Sequence, residues 1–148
     1  MVYIKKVMIN KMTISFYELI NTTVESTLPK LVQKIYDAKL NCHILCDTQE
    51  RLDVLNATLW TFSSLAFLPH GTEKDSKETH AENPIWLSLT LDKVNNPKVL
   101  ISLKPEVITD RTVEKLLYFY DQNEKDIASQ FTVLKKQLPQ AVFFCNKS

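Results

Sequence analysis

Short apolar runs of strand length take turns with segments of helical periodicity along most of this chain, and that alternation restricts the fold more than any other feature. Thr13 to Leu19 mix β-branched and aromatic residues (Thr13, Ile14, Phe16, Tyr17), as a first strand does, and Asn21 to Thr23 follow as turn and cap residues. Val24, Leu28, Leu31, Ile35 and Ala38 then recur at spacings of four, three, four and three, which sets them on one helical face. Pro29 removes an amide donor, so the expected helix starts near Leu28, with the proline in its first turn where no donor is needed. CHILC, Cys42 to Cys46, has the length of a buried strand. Asp47 with Glu50 three residues later reads as a capping box for a helix that Leu52, Leu55 and Leu59 continue.

The alternation is looser in the second half. Leu65 to Leu68 is stopped by Pro69, and the polar segment His70 to Asn83, which holds the one glycine, Gly71, is predicted to be the most mobile loop. Strands are expected at Ile85–Leu91 and Val99–Leu103, with Asn95, Asn96 and Pro97 as the turn between them and Pro105 ending the second. KLLYFY, Lys115 to Tyr120, suits either a buried strand or a helix continuing from an Asp110 cap, and the strand is favoured. From Asn123, the residues Ile127, Phe131, Leu134 and Leu138 keep helical spacing until Pro139, and Ala141 to Cys145 reads as a last strand. The expectation is a single α/β domain over residues 1–148, with 1–12 an irregular or extended N-terminus. Its sheet should be mixed and mostly parallel with helices on both faces, the two central strands forming an antiparallel pair across their short turn.

Composition narrows the function classes. With 45% hydrophobic and 24% charged residues the chain lies well away from disorder. A formal charge of +1, from 18 basic and 17 acidic residues, provides no broad positive field for gripping a phosphate backbone, so any contact with DNA is expected to be indirect. The odd, sparse cysteines Cys42, Cys46 and Cys145, and an opening without the apolar core of a signal peptide, fit a cytoplasmic protein. No stretch approaches the roughly 20 apolar residues that cross a bilayer.

An alternating α/β pattern invites a nucleotide, but a single glycine can build neither G-x-G-x-x-G nor a phosphate loop. The expected architecture is therefore Rossmann-like without a nucleotide-binding loop, and a small nucleotide-dependent enzyme stays as an alternative. Cys42, His43 and Cys46 look like metal ligands, yet on a strand the two thiols lie about 13 Å apart, too far for Zn–S bonds of about 2.3 Å. Buried structural thiols are the better reading. No serine sits on a glycine elbow and no cysteine has a credible histidine partner. His43 falls within a strand, while His70 and His80 fall at the polar loop as solvated imidazoles. Asp47 stands where many α/β enzymes keep an acid, but its cap role already accounts for it. No catalytic residue, metal or cofactor is expected.

Two segments are candidates for protein contacts. Leu59 to Gly71 gathers Trp60, Phe62, Phe67, Leu68 and Pro69 beside a polar loop, and Trp anchors carry a large share of interface energy. Read from the residues alone, core packing comes first. Near the C-terminus, Lys125, Lys135 and Lys136 accompany Phe131, Leu134 and Val142, a set that suits an acidic peptide ending in an apolar residue and a free carboxylate. It equally suits an ordinary amphipathic helix with snorkelling lysines.

ISFYEL near the start, HILCDTQERLDVLNATLW, the W-x6-F-x-P-H spacing from Trp60 through Phe67 and Pro69 to His70, and VLISL at Val99 together resemble the chi subunit of bacterial DNA polymerase III, in the family's order and over roughly Thr13 to Cys145. The resemblance implies an adaptor without catalytic activity. Such an adaptor binds the psi subunit of the clamp loader on one surface and the acidic C-terminal tail of single-stranded DNA-binding protein on another. By the matching block, Trp60, Phe67, Leu68, Pro69 and His70 become the expected psi-facing positions, which reverses the preference for core. For the tail the family carries an arginine-rich helix with an aromatic and then a glycine, whereas EKDIASQFTVLKKQLPQAVFF has neither arginine nor glycine. Lys125, Phe131, Lys135 and Lys136, with Tyr120 at the border, are the available groups, and Lys offers a point charge where Arg offers a planar fork. A chi-like module serving a repair helicase is the other reading of the same surface.

Overall fold

Every residue of Cys42–Leu45, Ile85–Ser88 and Val99–Ser102 is buried, the mark of parallel strands covered on both faces. The computed structural model describes residues 12–61, 70–72, 84–91, 96–108, 112–138 and 141–147, with side chains through Phe143. In chain order its elements are β1 (Thr13–Ile20), α1 (Val24–Asp37), β2 (Cys42–Leu45), α2 (Gln49–Thr61), β3 (His70–Thr72), β4 (Ile85–Ser88), β5 (Val99–Ser102), β6 (Lys115–Asp121), α3 (Lys125–Gln137) and β7 (Val142–Lys147). The strands form one seven-stranded sheet in the order β3-β4-β2-β5-β6-β1-β7, and every pairing is parallel.

The α/β class and the helices on both faces agree with the sequence reading. Alternation along β6 shows how the faces divide: Leu117 and Phe119 join the core beneath α1 and α2, while Leu116, Tyr118 and Tyr120 join the core beneath α3. The expected antiparallel pair is corrected. β4 and β5 do not touch, because β2 lies between them and pairs with both. Strands of four residues are only about 13 Å long, so the ten residues from 89 to 98 are enough chain to return to the starting edge and step over β2. Asn96, with φ 49°, takes a left-handed conformation in that connection.

Two helix starts also differ from expectation. α1 begins at Val24, not near Leu28, because Thr23 and Ser26 make a reciprocal capping box, the Ser26 amide donating to Thr23 Oγ1 at 3.2 Å. Pro29 therefore sits in the second turn and leaves the Glu25 carbonyl without its usual helical donor. The Asp47–Glu50 box does not form: Thr48 caps α2, accepting from the Arg51 amide at 3.0 Å, and Asp47 is freed for an ion pair. His70 to Thr72, read as the start of a mobile loop, is a short buried edge strand; Leu65 to Leu68, the rest of that loop and the first eleven residues lie outside the described residues. KLLYFY is a strand.

Since all strands run the same way, the helices that follow β1, β2 and β6 all start at one edge of the sheet. Neighbouring strands β1 and β6 send their helices to opposite faces, which makes that edge between them the usual ligand crevice of an open α/β sheet.

Candidate interaction surfaces

Helix N-termini favour anions, and in this fold three of them meet at the crevice. Here the protein's own carboxylates take those places. Glu25 lies in the first turn of α1, Asp47 just before the α2 cap, and Glu124 at the N-cap of α3; all three converge on Arg51. Its Nη1 is 3.0 Å from Glu25, Nη2 donates to both Glu124 oxygens at 2.7 Å, and Nε is 3.7 Å from Asp47. Burial alone lowers the Arg51 pKa, but the Glu124 hydrogen bond and the charges of Glu25, Glu124 and Asp47 more than offset it, so the net shift is upward and the guanidinium stays charged. A phosphate entering here meets three carboxylates against one cation. The crevice is committed to holding three helix starts together, a role for Arg51 that the sequence analysis missed; only the clustering of acids near helix starts signalled it.

A histidine and a serine meet in the interior, His43 Nε2 lying 2.7 Å from Ser88 Oγ, with both residues fully buried. This is not a nucleophile and its base. The Ser88 hydroxyl donates to the Thr90 carbonyl at 2.5 Å, so its oxygen is left to accept from the imidazole N–H. Cys42 and Cys46 are buried thiols outside any disulfide, and burial pushes the Cys42 thiol up, away from the reactive thiolate. Among the described residues no group of three or more His, Cys, Asp or Glu could hold a metal ion, and no helix is long and apolar enough to cross a membrane.

At one sheet edge, Trp60 in the last turn of α2 is 55% exposed, and its ring lies 4.8 Å from that of His70 on β3, tilted by 56°. His70 itself is buried, not the solvated imidazole expected from the sequence. Of the five expected psi-facing residues the structure thus brings Trp60 and His70 together; Phe67, Leu68 and Pro69 lie outside the described residues.

The opposite edge is β7, which pairs in register with β1 so that Phe143, Phe16 and Tyr118 form one rung across three strands. Phe16 stacks on Tyr118 at 4.8 Å, Tyr118 meets Phe131 of α3 edge-on at 5.9 Å, and Phe131 stacks on Tyr120 at 4.7 Å. The Tyr120 hydroxyl donates to Glu18 at 3.0 Å. Tyr120 and Phe131 are therefore interior groups that hold α3 on the sheet. The rung surfaces at Phe143, 43% exposed, where Lys135 Nζ lies 3.7 Å above the ring centre. Lys136 and Val142 are exposed near by in sequence, whereas exposed Lys125 stands at the far end of α3, about 15 Å along the axis from Lys135. The structure separates Lys125 from the two later lysines and adds Phe143, a residue whose place at an edge no periodicity could signal.

A family model described as DNA polymerase III chi subunit, HolC, matches residues 12–132, from the first strand well into α3. The chain belongs to the DNA polymerase III chi subunit family. Similarity to the probable DNA polymerase III subunit chi of Rickettsia prowazekii (strain Madrid E) agrees, at 31% identity over 91 residues. That alignment covers 62% of this chain and 54% of the relative, so it spans about half the length of the curated protein it matches. The two edges just described are the candidate contact surfaces of this chi-family chain.

Proposed function

We propose that this chi-family chain is a non-catalytic, cytoplasmic adaptor that joins the psi subunit of the clamp loader to the C-terminal tail of single-stranded DNA-binding protein. The observation that carries the reading is the exposed Trp60 ring set against buried His70 at the end of α2. A large aromatic held by a rigid neighbour gives contact area at little entropic cost, which is what an interface anchor requires. In this reading Trp60, Phe67, Leu68 and Pro69 face psi, and His70 supports Trp60 from the sheet edge. The acidic tail takes the other edge, with Lys135 and Lys136 meeting its carboxylates and Phe143 and Val142 its apolar end; Phe131 and Tyr120 back that patch from inside, and Lys125 contributes only long-range attraction.

Titration calorimetry with purified psi tests the first contact. Trp60→Ala and Phe67→Ala should each weaken binding about 30-fold or more, the size of an interface hot spot, with an unchanged unfolding midpoint. Wild-type affinity in both folded variants overturns the reading.

A further inference from the structure

Strand β1 turns three hydroxyl residues in succession, Thr13, Ser15 and Tyr17, toward the face that α1 covers, where the neighbouring strands present Val99, Ile101, Leu117 and Phe119. Beneath the C-terminal half of α1 that polar row leaves a cavity of about 310 Å³, at the lower end of the roughly 300–1,000 Å³ of small-molecule sites. It opens at the edge of the sheet where β5 and β6 begin, opposite the Arg51 cluster. Leu31, Ile35 and Leu117 form its apolar wall, and the charged residues that line it among the described residues are Lys34 and Lys115, both exposed.

Among the described residues the ion pairs involve neither ammonium group, and Asp37, one turn from Lys34, accepts from Gln33 Nε2 at 2.8 Å. Glu114, next to Lys115 in sequence, lies 3.8 Å from Lys98. The last turn of α1 would attract cations through its carbonyls, but three of them are taken: Ala38 donates to Lys34 at 3.1 Å, Lys39 to Tyr36 at 2.9 Å and Leu40 to Ile35 at 3.2 Å. Lys39 accepts a φ of 63° to make that closure. What remains is an apolar wall, a hydroxyl row and a positive rim.

We propose that this cavity binds a small organic carboxylate with an apolar body, its carboxylate between Lys34 and Lys115 and its body against Leu31, Ile35 and Leu117. The site is independent of both adaptor surfaces, and nothing in the polymerase reading requires it.

Titrating the full chain with 3-phenylpropionate, followed by amide chemical shifts, tests the assignment. Saturable shifts confined to residues 13–17, 31–40 and 115–117 are expected, with a dissociation constant on the order of 1 mM or tighter. The neutral amide of the same acid should bind at least about 10-fold more weakly, as should the acid to the Lys34→Glu, Lys115→Glu double variant, whose two exposed changes leave the unfolding midpoint in place. No saturation by about 10 mM, shifts centred elsewhere, or equal binding of acid and amide each overturns the proposal.

Discussion

The crevice around Arg51 and the edge patch around Lys135 both join basic to other side chains, but they use charge in opposite ways. Arg51 is 13% exposed and faces three carboxylates from three helix starts, so its charge is consumed inside the molecule. Lys135 lies over the face of an aromatic that is itself partly open to solvent, an arrangement that leaves the ammonium able to meet an incoming anion. A basic residue among acids at helix starts therefore serves the architecture, and a basic residue above an edge aromatic keeps its charge for the solvent side.

The sharpest way to break that contrast is through the residue beneath the patch. Phe131→Ala removes a fully buried ring that touches both Tyr118 and Tyr120, and it should cost about 3–5 kcal/mol in urea unfolding. A cost below about 1 kcal/mol would show that Phe131 is a surface contact after all.

Arg51→Met comes next. Breaking a buried ion pair from one side costs about 3–5 kcal/mol, and because Glu25 and Glu124 are roughly one-third exposed we expect about 2–3 kcal/mol here. Arg51→Lys should recover part of this, and neither variant should change affinity for an acidic, Phe-terminated peptide. A weakened peptide would merge the two regions into one binding surface.

The rung between the core and the patch has a signature in pH. Burial pushes the Tyr118 phenol up to about 12, and its hydroxyl donates to the Glu106 carbonyl at 2.7 Å. The fold thus prefers the neutral phenol over an ordinary one of pKa about 10, so the stability it contributes is complete below about pH 10 and is lost as the pH rises toward 12. Tyr118→Phe should cost about 1 kcal/mol at neutral pH and flatten the decline above pH 10. Equal slopes in the two proteins would assign the alkaline transition to another group.

The smallest effect on stability should accompany a clear loss of tail-peptide binding. Phe143→Ala is expected to cost no more than about 1 kcal/mol, since its ring is partly solvated and its cation–π contact is worth about 0.5–1 kcal/mol. Fluorescence anisotropy with an acidic peptide ending in Phe should nevertheless show binding reduced about 10-fold or more, and binding by the parent protein that weakens with salt. Retained affinity in Phe143→Ala would move the tail contact away from β7.

Some of this was legible in advance and some was not, for reasons that lie in how far each signal reaches. The helical spacing of Leu52, Leu55 and Leu59 and the apolar run CHILC are local patterns, and local patterns survive translation into elements. The α1 start was misjudged because proline is a strong local signal while the Thr23–Ser26 hydrogen bonds depend on geometry. At the β3 edge the W-x6-F-x-P-H spacing points to Trp60, but the burial of His70 follows from β3 pairing with β4, which no segment announces by itself. At the other edge Phe131 and Tyr120 were chosen for their chemistry and proved to be interior, because the register of β6 beneath α3 decides which aromatics face solvent.

The amino-acid order alone determined an α/β chain with one glycine, no phosphate-cradling loop and a set of short motifs in the order of the chi family, because composition, periodicity and motif order are properties of neighbouring residues. Only the tertiary structure decided that β2 separates β4 from β5, that Arg51 closes the crevice and that Phe143 surfaces beneath Lys135. Each of those joins residues distant in sequence. Strand order and register set them, through the burial of both sheet faces, and no local pattern encodes which parallel strand lies next to which.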